Sequence, residues 1–240
     1  MTDAVPRSVE AFLRSVDDAV GRPYQAVLFG SFARGTAVEG VSDINLLLIL
    51  PDTAHDTLRA LGPALARWRR EGQTPPLLAD AAEWRRAADA FPVELTDMRG
   101  AYRVLRGSDP FLEVSVARAD LRTALERELR GKLLQLRRGY VAFWDDEPSL
   151  GKLAGQSAAA FLTLLRCALV LAGRAVPADP LAVAGEAALL AGYDAAPVRE
   201  VARHRREVTW SCPTTTFEGY LDAVARVTRF VDSFTAGENA

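Results

Sequence analysis

Val9, Phe12, Leu13, Val16 and Val20 recur at the spacing of one helix face, which predicts an amphipathic helix over residues 7–21. Gly21-Arg-Pro23 ends it. Tyr24 to Phe29 and Asn45 to Leu50 are short apolar runs that read as strands, the second apolar on both faces, as in a central strand covered on both sides. Pro51-Asp-Thr53 then opens a helix expected over 54–71, with Leu58, Leu61, Leu65 and Trp68 on one face. Pro75-Pro-Leu-Leu-Ala79 suits a short edge strand, because proline cannot donate within a central ladder. A short helix is expected from Ala81 to Ala88. Phe91 to Thr96 alternates apolar and polar residues and reads as a further strand, as does Ala101 to Leu105.

Beyond Gly107-Ser-Asp-Pro110 the period changes from strand to helix. Leu121, Leu125, Leu129, Leu133, Leu136 and Tyr140 mark one long helix, and a second runs from Leu150 to Ala172. Further helices are expected near 180–191, 195–206 and 214–235, with Gly173, Gly192 and Ser211-Cys-Pro213 as breaks. The pattern predicts an α+β chain with two domains. Residues 1–115 would form a mixed sheet with flanking helices, and residues 116–240 a helical bundle.

Composition narrows the classes of function. At 240 residues, 49% hydrophobic and 25% charged, the chain is ordinary for a globular protein. A net charge of -2 argues against broad non-specific nucleic-acid binding. The two cysteines give neither a disulfide framework nor a zinc spacing, and Cys167 lies in an apolar helical run that should bury it. The N-terminal residues lack the charged and apolar regions of a signal peptide. The longest apolar run, from Ser157 to Gly173, is interrupted by Arg166 and falls short of a membrane span. A cytoplasmic protein without a membrane partner is the expectation, and an apolar face of the bundle could support a homodimer.

The chemistry concentrates in Gly30-Ser31-Phe-Ala-Arg34-Gly35, followed by Ser42-Asp43-Ile-Asn45 at the opening of a strand. This arrangement resembles the nucleotidyltransferase signature, in which a Gly-Ser turn and short helix precede an Asp-x-Asp pair. The resemblance is to the bacterial branch of the DNA polymerase β-like superfamily that includes aminoglycoside adenylyltransferases, and it covers roughly residues 1–110. It implies ATP or another nucleoside triphosphate as substrate, Mg2+ as cofactor, and an acceptor that the chain does not identify.

Elementary chemistry points the same way. Gly30 lets the backbone approach a phosphate. Ser31 adds a hydroxyl at the start of a helix whose free N–H groups favour an anion. Ser42 belongs to the same signature as a nucleotide-binding candidate. Arg34 could reach a phosphate oxygen or pair instead with Glu39. Asp43 and Asn45 stand two apart on a strand, so their side chains share a face. Two carboxylates there would bind Mg2+, which prefers oxygen ligands in octahedral geometry. The resemblance also implies a third carboxylate from a neighbouring strand, acting as ligand or base. Glu94 is the candidate, since alternation sets it on the face opposite Val93 and Leu95, and Asp97 is the runner-up.

Asn45 departs from the pattern, because an amide oxygen carries no charge. A pseudoenzyme, a weakened enzyme using another carboxylate, and an engineered Asp→Asn replacement are each compatible with the sequence. The expected reaction is transfer of AMP from ATP to a hydroxyl of a small molecule or protein. Asp43 and Glu94 would be its catalytic residues, and Asp43, Asn45 and Glu94 its metal-facing positions. The alternative is a non-catalytic protein that binds nucleotide or a partner. Other signals are weaker. Arg199 and His204 have the Arg-x4-His spacing of small helical ribonuclease domains, but positions five apart on a helix do not meet. His55 reads as solvated, Arg203, Arg205 and Arg206 as a basic helix end, and Asp145-Asp-Glu147 as an acidic one. Phe143 and Trp144 beside it could pack into the bundle or face a cleft.

Overall fold

The computed structural model describes residues 6–38, 42–207 and 209–234. These divide into two compact units, the described residues within 1–90 and 98–115 in one, and 91–97 with those of 116–240 in the other.

The first unit is a four-stranded sheet of order β3-β2-β1-β4, where β1 is Gln25–Phe29, β2 Asn45–Leu50, β3 Leu77–Asp80 and β4 Tyr102–Arg106. Strand β1 runs antiparallel to β2 and β4, and β2 parallel to β3. One face presents Ala26, Leu28, Leu46, Leu48 and Leu50. It is covered by Val9, Phe12, Leu13 and Val16 of α1 (Arg7–Val20) and by Leu61, Ala64 and Trp68 of α3 (His55–Arg70). Phe12 and Trp68 meet with ring centroids 4.6 Å apart, and the Trp68 indole N–H donates to the Thr74 carbonyl. Val27, Leu47 and Ile49, which alternate to the other face, are buried as well, as the all-apolar reading of β2 required. Helix α4 (Ala81–Ala90) packs against β2 and β3, and its Trp84 meets Phe111 edge-on at 5.3 Å.

Two polar clusters lock the helices to the sheet. Arg106 of β4 reaches Glu10 and Asp17 of α1. Asp17 also accepts the Tyr24 hydroxyl at 2.6 Å, and burial first, then this bond, raises the phenol above its usual range. At the end of β2, Asp52 accepts from the Thr57 hydroxyl, Arg22 and the Ala54 N–H. These bonds, that of Thr57 foremost, hold its carboxyl down to about 2.

The sheet differs from the sequence expectation in one element. Phe91 to Thr96 is no strand: Pro92–Arg99 is helix α5. Pro92 removes a ladder donor but fits the first position of a helix, where its N–H would be unpaired in any case. Glu94 lies in that helix's first turn, where an acidic residue is favoured. The apolar alternation is satisfied differently, with Val93 joining the core of the second unit. The Cys167 thiol donates to the Val93 carbonyl.

The second unit is built on α7 (Glu147–Leu171), packed by α6 (Arg118–Phe143), α8 (Pro180–Ala191), α9 (Ala195–His204) and α10 (Thr214–Ser233). By length and composition α7 could cross a membrane, but 56% of its apolar window is buried within the protein, as for a core helix. Three polar contacts fix its rotation. The Arg166 fork grips both oxygens of Asp97 at 2.6 and 3.2 Å. Arg118 donates twice to the Leu171 carbonyl at the helix end. Buried Ser157 gives its proton to the Ala154 carbonyl, so Tyr220 donates to Ser157 across 2.8 Å. The segment after α9 lies against α7 at Gly151, where any side chain would strike the Trp210 carbonyl.

Gly151→Ala should therefore destabilise the protein by about 1–3 kcal/mol, since the obstacle is backbone and not a movable side chain. Urea unfolding of the two proteins measures it. Asp52 predicts an acid response with a definite sign. Its carboxyl is lowered on folding, so its contribution is present above the unfolded value of about 4. That contribution should fade as pH falls towards about 2. Asp52→Asn should remove this part of the acid dependence from unfolding midpoints measured between those limits.

Candidate functional site

The site is built where β1 gives way to the next turn. After Phe29 the chain passes through Gly30 at φ 78° and ψ −146°, then forms a single helical turn, α2, from Ser31 to Arg34. Glycine suits this position chiefly for its positive φ, and a second feature adds to it. A Cβ on Gly30 would lie 2.9 Å from the amide nitrogen of Asn45. The Gly30 N–H donates to the Ala101 carbonyl at 3.3 Å, anchoring the turn to the segment that enters β4. The Arg34 and Thr36 N–H groups close back on the Gly30 and Ser31 carbonyls. The first N–H groups of α2 have no acceptor within the helix. One turn carries little macrodipole, so these donors and the Ser31 hydroxyl, not a helix field, are what the turn offers an anion.

Across the sheet, Asn45 is the first residue of β2 and pairs with Phe29, which in turn pairs with Tyr102. Directly paired residues share a face, so Asn45, Phe29 and Tyr102 form a row at the mouth of the sheet. Ile44 is buried, Asn45 half-buried and Asp43 exposed just ahead of the strand. Ser42 braces the preceding loop: its hydroxyl accepts from the Val38 N–H and its own N–H donates to the Val38 carbonyl, both at 2.8 Å. Glu39, the alternative partner for Arg34, lies outside the described residues.

The structure therefore brings Gly30, Ser31 and Asn45 together, with Asp43 at the entrance. It does not place a third carboxylate on the sheet. The parallel register begins with Leu47 opposite Leu77, so β3 pairs with β2 only beyond Asn45. The carboxylate of β3, Asp80, sits at the opposite end across from Leu50 and accepts the Ala82 and Glu83 N–H groups. Glu94, on α5, belongs to the second unit. It is exposed there and acts electrostatically on Glu128, whose carboxyl is raised first by burial and then by Glu94's charge. Asp97 is consumed by Arg166. Among the described residues no three His, Cys, Asp or Glu side chains gather so as to hold a metal ion. A magnesium ion in this role needs several oxygen ligands with carboxylate charge. One exposed carboxylate beside an amide does not fit it.

The remaining signals resolve into structural roles. Both His204 ring nitrogens are engaged, by Glu207 at 2.8 Å and Glu200 at 3.0 Å, and the ring stacks on Trp210. These bonds, that of Glu207 foremost, raise the imidazole above its usual range. Arg199 donates to the Leu181 carbonyl, so the two do not form a ribonuclease pair. Arg203 pairs with Glu200. Asp146 caps α7 through Ser149, and Glu147 accepts from Cys212 and Thr214, which gives the acidic run a capping role. Phe143 and Trp144 are exposed. Burial raises the Cys167 thiol far above its usual range and pushes Cys212 up to about 12. Sequence reasoning missed the row formed by Asn45, Phe29 and Tyr102. Its only signal was the length of the two strands, since register depends on pairing.

The turn and the mouth of the strand define a class. Residues 9–85 match the family model described as a nucleotidyltransferase domain, and this span contains Gly30, Ser31, Asp43 and Asn45. Over the whole chain the fold is that of the crystal structure of spectinomycin adenyltransferase AAD(9) from Enterococcus faecialis with ATP and spectinomycin. The TM-score is 0.56 at 11% identity, with 96% of this chain and 100% of that chain covered. No curated protein matches the sequence. Residues 9–85 thus match a nucleotidyltransferase domain, and the chain as a whole shares its fold with that solved structure.

Gly30→Ala should cost about 1–3 kcal/mol of stability from backbone strain, with a smaller addition from the Asn45 amide end, which can move aside. In a double-mutant cycle on thermal unfolding, Asn45→Ala should relieve the contact but leave the strain. Purely additive costs would show that Asn45 does not press on the turn.

Proposed function

We propose that the chain binds a nucleoside triphosphate at the Gly30–Ser31 turn and serves nucleotidyl transfer at an attenuated rate. The donor is ATP and the acceptor a hydroxyl of a small molecule or protein. The acceptor oxygen attacks the α-phosphorus, pyrophosphate leaves and the hydroxyl proton is lost. The observation that carries this reading is the positive-φ glycine turn that opens on the first N–H groups of α2 beside the mouth of β2. The domain match at residues 9–85 and a structural neighbour that holds ATP and a small molecule support it. Asp43 is the carboxylate assigned to the reacting centre. Glu94 loses its argument as a partner, because the strand that would have aimed it at the sheet is a helix.

A second reading is favoured by one specific feature. With one carboxylate and an amide at the mouth, the domain is suited to holding nucleotide without turning it over.

Pyrophosphate release from ATP separates the two, measured across candidate hydroxyl acceptors for wild type, Asn45→Asp and Asp43→Ala. Slow release is expected from wild type, and none from Asp43→Ala. Asn45→Asp should raise the rate by about tenfold or more, in line with the effect of ligand-shell changes on metal sites. Release by neither wild type nor Asn45→Asp supports the binding protein. A fast wild type that the reversion does not improve contradicts the role given to Asn45.

A further inference from the structure

Resting on the reading that the Gly30–Ser31 turn receives a triphosphate, we infer that it takes the free anion in preference to the magnesium complex. Asn45 puts an uncharged amide at the position where a second carboxylate would be needed to hold a metal ion. Three observations converge on this. The donor set at the mouth is one exposed carboxylate, Asp43, with no further His, Cys, Asp or Glu gathered near enough to complete a cage among the described residues. The sheet position paired with Asn45 is Phe29, with Tyr102 beyond it, and neither supplies a carboxylate. The Asn45 amide nitrogen lies against the Gly30 turn, 2.9 Å from where a side chain there would begin.

That nitrogen carries two N–H donors, and no hydrogen bond to a described residue engages the amide. The amide is half-buried and still reaches solvent, so a phosphate oxygen would replace water as its acceptor. The groups beside it on the turn, the first N–H groups of α2 and the Ser31 hydroxyl, are donors too. A convergent set of donors is a receptor for phosphate oxygens. It is a poor receptor for a cation, which N–H dipoles repel. Asp43 opposes a polyanion, but its exposure lets water and salt screen that repulsion. With an aspartate at position 45 the balance reverses. Two carboxylates then face the phosphates, and a cation must intervene.

Calorimetric titration with ATP, in EDTA and in excess Mg2+, tests this on wild type and Asn45→Asp. Wild type should bind ATP in EDTA at least as tightly as with Mg2+. Asn45→Asp should lose about tenfold or more in EDTA, the effect of one charge-assisted hydrogen bond, and recover affinity when Mg2+ is added. Wild-type binding that requires Mg2+ overturns the inference and leaves the nucleotide-binding reading standing. Failure of ATP, GTP, CTP and UTP alike to bind under either condition overturns both.

Discussion

The antiparallel pairing of Phe29 with Asn45 is the constraint on which the site depends. It sets the end of β1 beside the start of β2, so the residue after Phe29 must turn away while a side chain from the neighbouring strand crowds it. Glycine answers both demands. The turn then presents backbone N–H groups at the sheet's edge, and whatever occupies position 45 faces the same space. Recognition of an anion and the identity of residue 45 are therefore one problem, joined by a single register.

The helical unit relies on a different principle. Its core is almost wholly apolar, and apolar packing alone leaves helices free to rotate or slide. The few polar contacts inside it supply direction: Asp97 with Arg166, Arg118 with the end of α7, and Tyr220 with Ser157. The first of these also accounts for residues 91–97 belonging to the helical unit, although they precede β4 in the chain. A carboxylate that the sequence offered for chemistry is spent on placing a helix.

Much of this was legible from local pattern, and the exceptions are instructive. Helical periodicity located α1, α3, α6 and α7, because a long stripe must be buried along its whole length. The apolar run of β2 announced a strand covered on both faces. Residues 91–96 misled because six residues of alternation fit a strand or a short helix equally well, and Pro92 is tolerated at the start of either. The error carried over to Glu94, whose proposed role rested on strand geometry. The ribonuclease-like spacing of Arg199 and His204 lost its meaning once both side chains were seen to have structural partners.

By itself, the sequence determined the Gly-Ser turn, the amide at position 45, the sheet-then-bundle order and the burial of α7. Each is a property of neighbours along the chain, or of a period short enough to be read locally. Only the tertiary structure decided which residues flank Asn45, that Asp97 is tied to an arginine, and that the Asn45 amide lies beside Gly30. Those facts arise from pairing between segments distant in sequence, where register and helix rotation are chosen by the packed whole. A motif can name the class of ligand; the number of charges that meet it is settled only when the strands align.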